Sequence, residues 1–213
     1  MAATPAGFPV TEPDPAHYVW WLAARSAGIV AFVLVAAAVM IGLFLSANLS
    51  RRPGLKRDLV KVHQQVALAA LATIAAHGVL LLGDKWLKPG LTGITIPFTL
   101  AYRPLWTGLG ILAGYLAVAL GPTFYLRRRI GARRWRLVHR ATALVYALGL
   151  LHAVGSGTDG ASPWFTALVI ATAIPITGLL IIRLRPKPAR PAPSRRPLTT
   201  TPTQTRTPSP GHS

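Results

Sequence analysis

The sequence contains no cysteine, and methionine occurs only at Met1 and Met40. Without cysteine the chain cannot form disulfides, thiolate metal sites, iron–sulfur clusters or cysteine-ligated haem. Acidic residues are also scarce, with five Asp and Glu against 23 Lys and Arg, and none lies in the middle of an apolar segment. Because proton and cation pathways through membranes usually depend on such carboxylates, a transporter or channel is disfavoured.

The residues that are present are mostly apolar. The chain is 52% hydrophobic and 13% charged, with a mean hydropathy of +0.44, whereas soluble domains carry about 25% charged residues. This composition predicts an integral membrane protein that contacts lipid. The net charge of +18 comes from short basic clusters between apolar segments, which indicates membrane topology and not nucleic-acid binding.

Five segments are long and apolar enough to cross a bilayer, which requires about 20 residues each. We predict an all-α, polytopic bundle with spans at 18–46, 59–83, 104–126, 135–155 and 163–183. The semi-polar stretch 84–104 between the second and third spans is expected to lie at the headgroup level. The predicted domains are an extracytoplasmic tail at 1–17, the transmembrane domain at 18–183, and a disordered basic tail rich in Pro and Thr at 184–213.

The basic residues also predict the orientation of the spans. Nineteen of them fall in 47–61, 127–140 and 183–213, whereas only three fall in 84–104 and none in 1–17. Lys and Arg concentrate on the cytoplasmic side of membrane proteins. We therefore expect the N-terminus outside and the C-terminus inside.

Two of the apolar segments carry a histidine at each end. They read HQQVALAALATIAAH, beginning at His63, and HRATALVYALGLLH, beginning at His139. On a helix, His63 and His77 are about 21 Å apart along the axis and within about 40° of the same face. Since both spans cross in the same direction, His63 lies level with His139, and His77 lies level with His152. The pattern predicts two facing imidazole pairs, one near each side of the membrane.

Such pairs suit haem better than a single metal ion. Two imidazoles alone under-coordinate zinc, whose structural sites have four ligands, whereas haem iron needs one axial ligand on each side of the ring. An apolar macrocycle also fits between the helices of a bundle. We therefore predict one bis-histidine haem site per pair, with Met40 as the only alternative soft axial ligand.

Two points leave other interpretations open. A single histidine near a membrane interface is often a polar group that reaches the headgroups, and the protein is then a non-redox transporter or scaffold with structural histidines. Thirteen residues also rotate an ideal helix by about 1300°, which leaves His139 and His152 about 140° apart. Local over- or under-winding, or different approaches to the two haems, is then required.

Several sequence segments resemble a known family. WLAARSAGIVA, YRPLWTGLG and RRWRLVHR, with the 14- and 13-residue histidine spacings, are similar to the bacterial ferric reductase-like transmembrane domain over about residues 18–183. Its superfamily includes eukaryotic ferric reductases, NADPH oxidases and the haem-binding membrane subunit of the bacterial periplasmic methionine sulfoxide reductase system. The resemblance implies two b-type haems, the inner ligated by His63 and His139, the outer by His77 and His152.

The resemblance extends only to the membrane electron carrier of these systems. The sequence shows no strand–helix alternation, and the stretch after residue 183 contains no GxGxxG motif, so we expect no FAD or NAD(P)H domain and no complete catalytic unit. Electrons are then expected to arrive from a flavoprotein or a quinol and to leave to a periplasmic or extracellular acceptor. The expected location is the plasma membrane of a bacterium, crossed several times.

Arg25 is the most unusual charge in the sequence, because it lies inside the first apolar segment. An unpaired arginine at that depth is costly, and its planar guanidinium matches a carboxylate. We therefore predict that Arg25 binds a propionate of the outer haem. The alternative is an arginine that reaches the membrane surface beside Trp20 and Trp21.

Overall fold

The computed structural model describes residues 18–47, 49 and 52–185, and these residues form helices and connecting turns without a strand. The helices are α1 (Val19–Ser46), α2 (Pro53–Leu81), α3 (Gly90–Thr95), α4 (Pro104–Leu120), α5 (Thr123–Ile130), α6 (Ala132–His139), α7 (Thr142–Ser156) and α8 (Pro163–Leu184). The all-α prediction is confirmed. The predicted N-terminal tail, and the predicted C-terminal tail from residue 186 onward, lie outside the described residues.

The helices confirm a protein that crosses the membrane several times. Four of them are long and apolar enough to span: α1, α2, the joined α6 and α7, and α8. α4 and α5 meet at an angle of 51°, and together they form either a broken fifth span or a re-entrant segment. The segment predicted as a span at 104–126 is therefore interrupted, because α4 ends at Leu120 before Gly121 and Pro122. Pro122 lacks the N–H that would continue the helix.

α2 begins at Pro53, so the helix extends beyond the predicted span, which starts at residue 59. Proline is favoured in the first turn of a helix, where its missing N–H would have no partner. After α2, the buried carboxylate of Asp84 accepts the backbone N–H of Trp86 and of Leu87, at 2.8 and 3.1 Å. This turn redirects the chain into the segment that contains the short helix α3.

α1 is the central helix of the bundle. It packs along α2 and contacts α7 and α8, while α4 packs along α7. The best-buried contact joins α1, α7 and α8: the rings of Phe32 and Tyr146 stack with centroids 5.7 Å apart, and the Tyr146 hydroxyl lies 2.9 Å from Thr172 Oγ1. In contrast, α2 and α7 make at most marginal backbone contact. The two histidine helices are therefore held apart by the helices beside them.

The basic residues gather at one end of the bundle. Gly42 of α1 lies against His63, His63 faces His139, and Arg183 is close enough to His139 for their charges to interact. The cationic residues at this end are Arg52, Lys56, Arg57, Lys61, the arginines of α5 and α6, Arg140, Arg183 and Arg185. We call it the basic end, and the other the opposite end. That the basic end faces the cytoplasm remains a prediction.

Removal of the Tyr146–Thr172 hydrogen bond tests the three-helix contact. Tyr146→Phe is expected to lower the free energy of unfolding by about 0.5–1.5 kcal/mol, which is the range for hydrogen bonds between membrane helices. In a double-mutant cycle with Thr172→Val, most of that loss should appear as a coupling energy between Tyr146 and Thr172. Thr177→Val, at an exposed position of the same helix, is the control, and an equal loss there would contradict the assigned contact.

Candidate functional site

The four histidines meet in the two predicted pairs. The imidazole centroids of His63 and His139 are 6.1 Å apart, and those of His77 and His152 are 6.2 Å apart. Each pair joins α2 to the α6–α7 segment across the space between these helices. Among the described residues no cluster of three or more His, Cys, Asp or Glu side chains is placed to hold a metal ion. Each site therefore offers two imidazoles.

The spacing of each pair fits axial ligation of one iron. With metal–nitrogen bonds of about 2 Å, and ring centroids about 1.1 Å behind the ligating nitrogens, two imidazoles on opposite sides of an iron have centroids about 6.3 Å apart. The observed separations agree with this value. The ring planes are steeply crossed, at 88° for His63 and His139 and 71° for His77 and His152. The donor set thus fits bis-histidine haem.

At the opposite end, backbone carbonyls orient both rings. Nδ1 of His77 donates to the Ala24 carbonyl at 2.7 Å, and Nδ1 of His152 donates to the Trp106 carbonyl at 2.9 Å. Because a carbonyl can only accept, Nδ1 of each ring carries the proton. Nε2 of each ring then has a free lone pair. This is the tautomer that metal-binding histidines adopt when a second group fixes the ring.

The basic-end pair is held differently. The Ala38 carbonyl lies toward His63, but Nδ1 of His63 makes no hydrogen bond of ordinary length and angle. Nδ1 of His139 is likewise buried without a hydrogen-bond partner. Instead, the indole of Trp135, one turn earlier on α6, stacks on the His139 ring with centroids 5.0 Å apart and an angle of 21°. At His139, stacking on an aromatic ring therefore takes the place of the hydrogen bond to a backbone carbonyl.

Three glycines let a neighbouring helix approach a histidine ring. A Cβ at Gly28 would lie 3.0 Å from Nδ1 of His77, one at Gly42 would lie 3.3 Å from Cε1 of His63, and one at Gly110 would lie 2.5 Å from Nδ1 of His152. Each glycine follows by four residues the carbonyl that faces the same ring. A carbonyl and a glycine on one helix face thus form a repeated cradle for imidazole.

The winding of the chain explains how His139 and His152 face the same way. The backbone between α6 and α7 makes hydrogen bonds from residue i to i−3 at residues 140, 141, 143 and 144. Such turns rotate by about 120° per residue, whereas α-helix rotates by about 100°. The overwinding adds about 20° per residue, which recovers much of the 140° mismatch expected for an ideal helix. The predicted local distortion therefore lies at Arg140–Leu144.

Arg25 has a partner that the sequence interpretation did not identify. Its guanidinium makes a two-pronged ion pair with Asp159, in which Nε donates at 2.6 Å and Nη2 binds the other carboxylate oxygen. The indole of Trp21 lies 5.1 Å from the guanidinium carbon. Asp159, between α7 and α8, thereby removes the cost of an unpaired charge. Binding of a propionate by Arg25 remains a prediction.

Part of the chain matches a known protein family. Residues 27–150 match the ferric reductase like transmembrane component family. The chain belongs to this family. Ferric reductase-like domains usually bind haem. The matched region contains three of the four histidines and ends two residues before His152, and no solved structure matches the chain.

Two residues of this ferric reductase-like domain were missed by sequence reasoning. Asp159 lies in a loop rich in Gly and Ser, and only the scarcity of acidic residues marks it as a partner for a buried arginine. Trp135 lies four residues before His139, the spacing that stacks side chains on one helix face. The surrounding arginines were interpreted as topology signals, and this obscured the aromatic contact.

The glycine cradle of His152 can be tested with a matched pair on α4. Gly110→Ala places a methyl group against the ring nitrogen of His152 and is expected to lower the free energy of unfolding by about 1–3 kcal/mol, as overpacking does. At Gly114 a Cβ would meet only Ile74, at 3.7 Å. Gly114→Ala should therefore be neutral or stabilising by up to about 1 kcal/mol. Equal effects in unfolding assays would contradict the cradle.

Proposed function

We propose that this protein is the haem-binding membrane component of an oxidoreductase system and carries electrons between the two membrane faces. His63 and His139 hold one b-type haem, and His77 and His152 hold the other. The single observation that carries the proposal is the spacing of the two imidazole pairs, 6.1 and 6.2 Å between centroids. It agrees with the spacing of two axial ligands of one iron.

The residues around the opposite-end pair support the same role. The carbonyls of Ala24 and Trp106 fix the proton on Nδ1 of His77 and of His152, so the other nitrogen of each ring is free to bind iron. The ring of a haem supplies one-electron chemistry when bound, and these side chains orient and shield it.

The two sites are stacked along the bundle. On α2, His63 and His77 are separated by about 21 Å of helix, and the α6–α7 segment holds their partners, His139 and His152, at matching heights. Two haems at these sites divide the bilayer into short electron-transfer steps. The proposed electron donor is a flavoprotein or a quinol at the basic end, which is predicted to be cytoplasmic, and the proposed acceptor is a periplasmic or extracellular group.

Absorption and electron paramagnetic resonance spectra test the presence and ligation of haem. Protein purified from haem-replete cells is expected to be red, with the sharp reduced-state bands of six-coordinate low-spin haem. Because the imidazole planes cross at 88° and 71°, the ferric signals should be strongly anisotropic, as expected when the two ligands act on different iron orbitals. Colourless protein would favour a transporter or a scaffold with structural histidines.

Single histidine substitutions test the pairing. His152→Ala is expected to halve the haem-to-protein ratio, because it removes one ligand of one site only, and His139→Ala should have the same effect at the other site. The double variant should contain no haem. Pyridine haemochrome assays measure the ratio, and Gln65→Ala, at an exposed position of α2, is the control. Full haem content in either single variant would contradict the assigned ligand pairs.

A further inference from the structure

The two imidazole pairs differ in what surrounds them, and the difference has a consequence for electron transfer. Both opposite-end rings donate Nδ1–H to a backbone carbonyl, at 2.7 and 2.9 Å. Neither basic-end ring has such a bond of ordinary geometry, since Nδ1 of His63 and of His139 is buried without a hydrogen-bond partner. If each pair binds a haem iron as proposed above, the ligands at the basic end are not equivalent to those at the opposite end.

A hydrogen bond at Nδ1 makes the imidazole a stronger electron donor at Nε2. Donation of the Nδ1 proton to a carbonyl raises ligand basicity, and a more basic ligand stabilises ferric over ferrous iron. Hydrogen bonding beyond the direct ligands is one of the means by which proteins set haem potentials. His77 and His152 should therefore lower the reduction potential at the opposite end, relative to the potential at the basic end.

Fixed charges act in the same direction. Arg183 on α8 is half-buried and lies near His139 and Arg140. A nearby positive charge disfavours the ferric state, which carries one more positive charge than the ferrous state. At the opposite end the half-buried cation Arg25 is neutralised by Asp159, and a second carboxylate, Asp84, is buried.

The remaining cations at the opposite end do not reverse this difference in fixed charge between the two sites. Among the described residues they are Lys85, Lys88 and Arg103, and all three are exposed. Exposed charges are screened by water and salt more strongly than half-buried ones. The half-buried, uncompensated charge therefore lies at the basic end.

We infer that the two haem sites have different reduction potentials and that the basic-end site, held by His63 and His139, has the higher one. An electron shared between the sites then resides mainly at the basic end. Transfer toward the opposite end is unfavourable at equilibrium unless the membrane potential or the acceptor drives it. The protein thus stores an electron on the side where the donor is proposed to bind.

Potentiometric titration, monitored by haem absorbance, tests this order of the two reduction potentials. The wild-type protein in detergent should give two waves, and His152→Ala should retain the wave of higher potential. Arg183→Gln should shift that wave to lower potential and leave the other nearly unchanged. Lys85→Gln removes the same charge from an exposed position at the opposite end and should not shift the higher wave.

Each outcome distinguishes this inference from the proposed function. Coincident waves, or retention of the lower wave in His152→Ala, would overturn the order of potentials while leaving two haems in the membrane. A lack of shift in Arg183→Gln would overturn the contribution of fixed charge. Protein without haem would overturn the proposed function together with the inference.

Discussion

The constraint on which this structure depends is the fixed gap between α2 and the α6–α7 segment. Two imidazoles face each other across it at 6.1 Å and at 6.2 Å, yet the backbones of α2 and α7 hardly touch. α1 and α4 maintain the gap from its two sides, since α2 packs along α1 and α7 packs along α4. If either support shifted by the width of a methyl group, one imidazole of a pair would move out of line with the other.

The membrane explains why backbone atoms and glycines form these supports. Polar side chains are costly in lipid, whereas a helix carbonyl is already present and can accept a second hydrogen bond. The combination of a carbonyl with a glycine four residues later occurs at Ala24 and Gly28 for His77, and at Trp106 and Gly110 for His152. The cradle therefore adds no buried charge, and the one charge within α1, on Arg25, is satisfied by Asp159.

The sequence predicted the features that depend on spacing along one helix, and it missed those that depend on contacts between distant segments. The intervals between His63, His77, His139 and His152 were sufficient to predict the pairs, and the long apolar segments were sufficient to predict the all-α bundle. Hydropathy did not predict the bend after Leu120, because apolar residues continue past the break as far as Leu126. The partner of Arg25 is 134 positions away in the sequence, and no local pattern connects the two.

The basic end departs from the repeated cradle for a related reason. Gly28 and Gly42 are 14 residues apart on α1, as His63 and His77 are on α2, so one straight helix can support both rings of another. α4 supports His152 through Gly110 but ends at Leu120, before it can offer the same contact to His139. Trp135 takes that position by stacking on His139 from its own helix. A stacked indole orients the ring without accepting its proton, so the break in α4 accounts for the missing carbonyl hydrogen bond at His139.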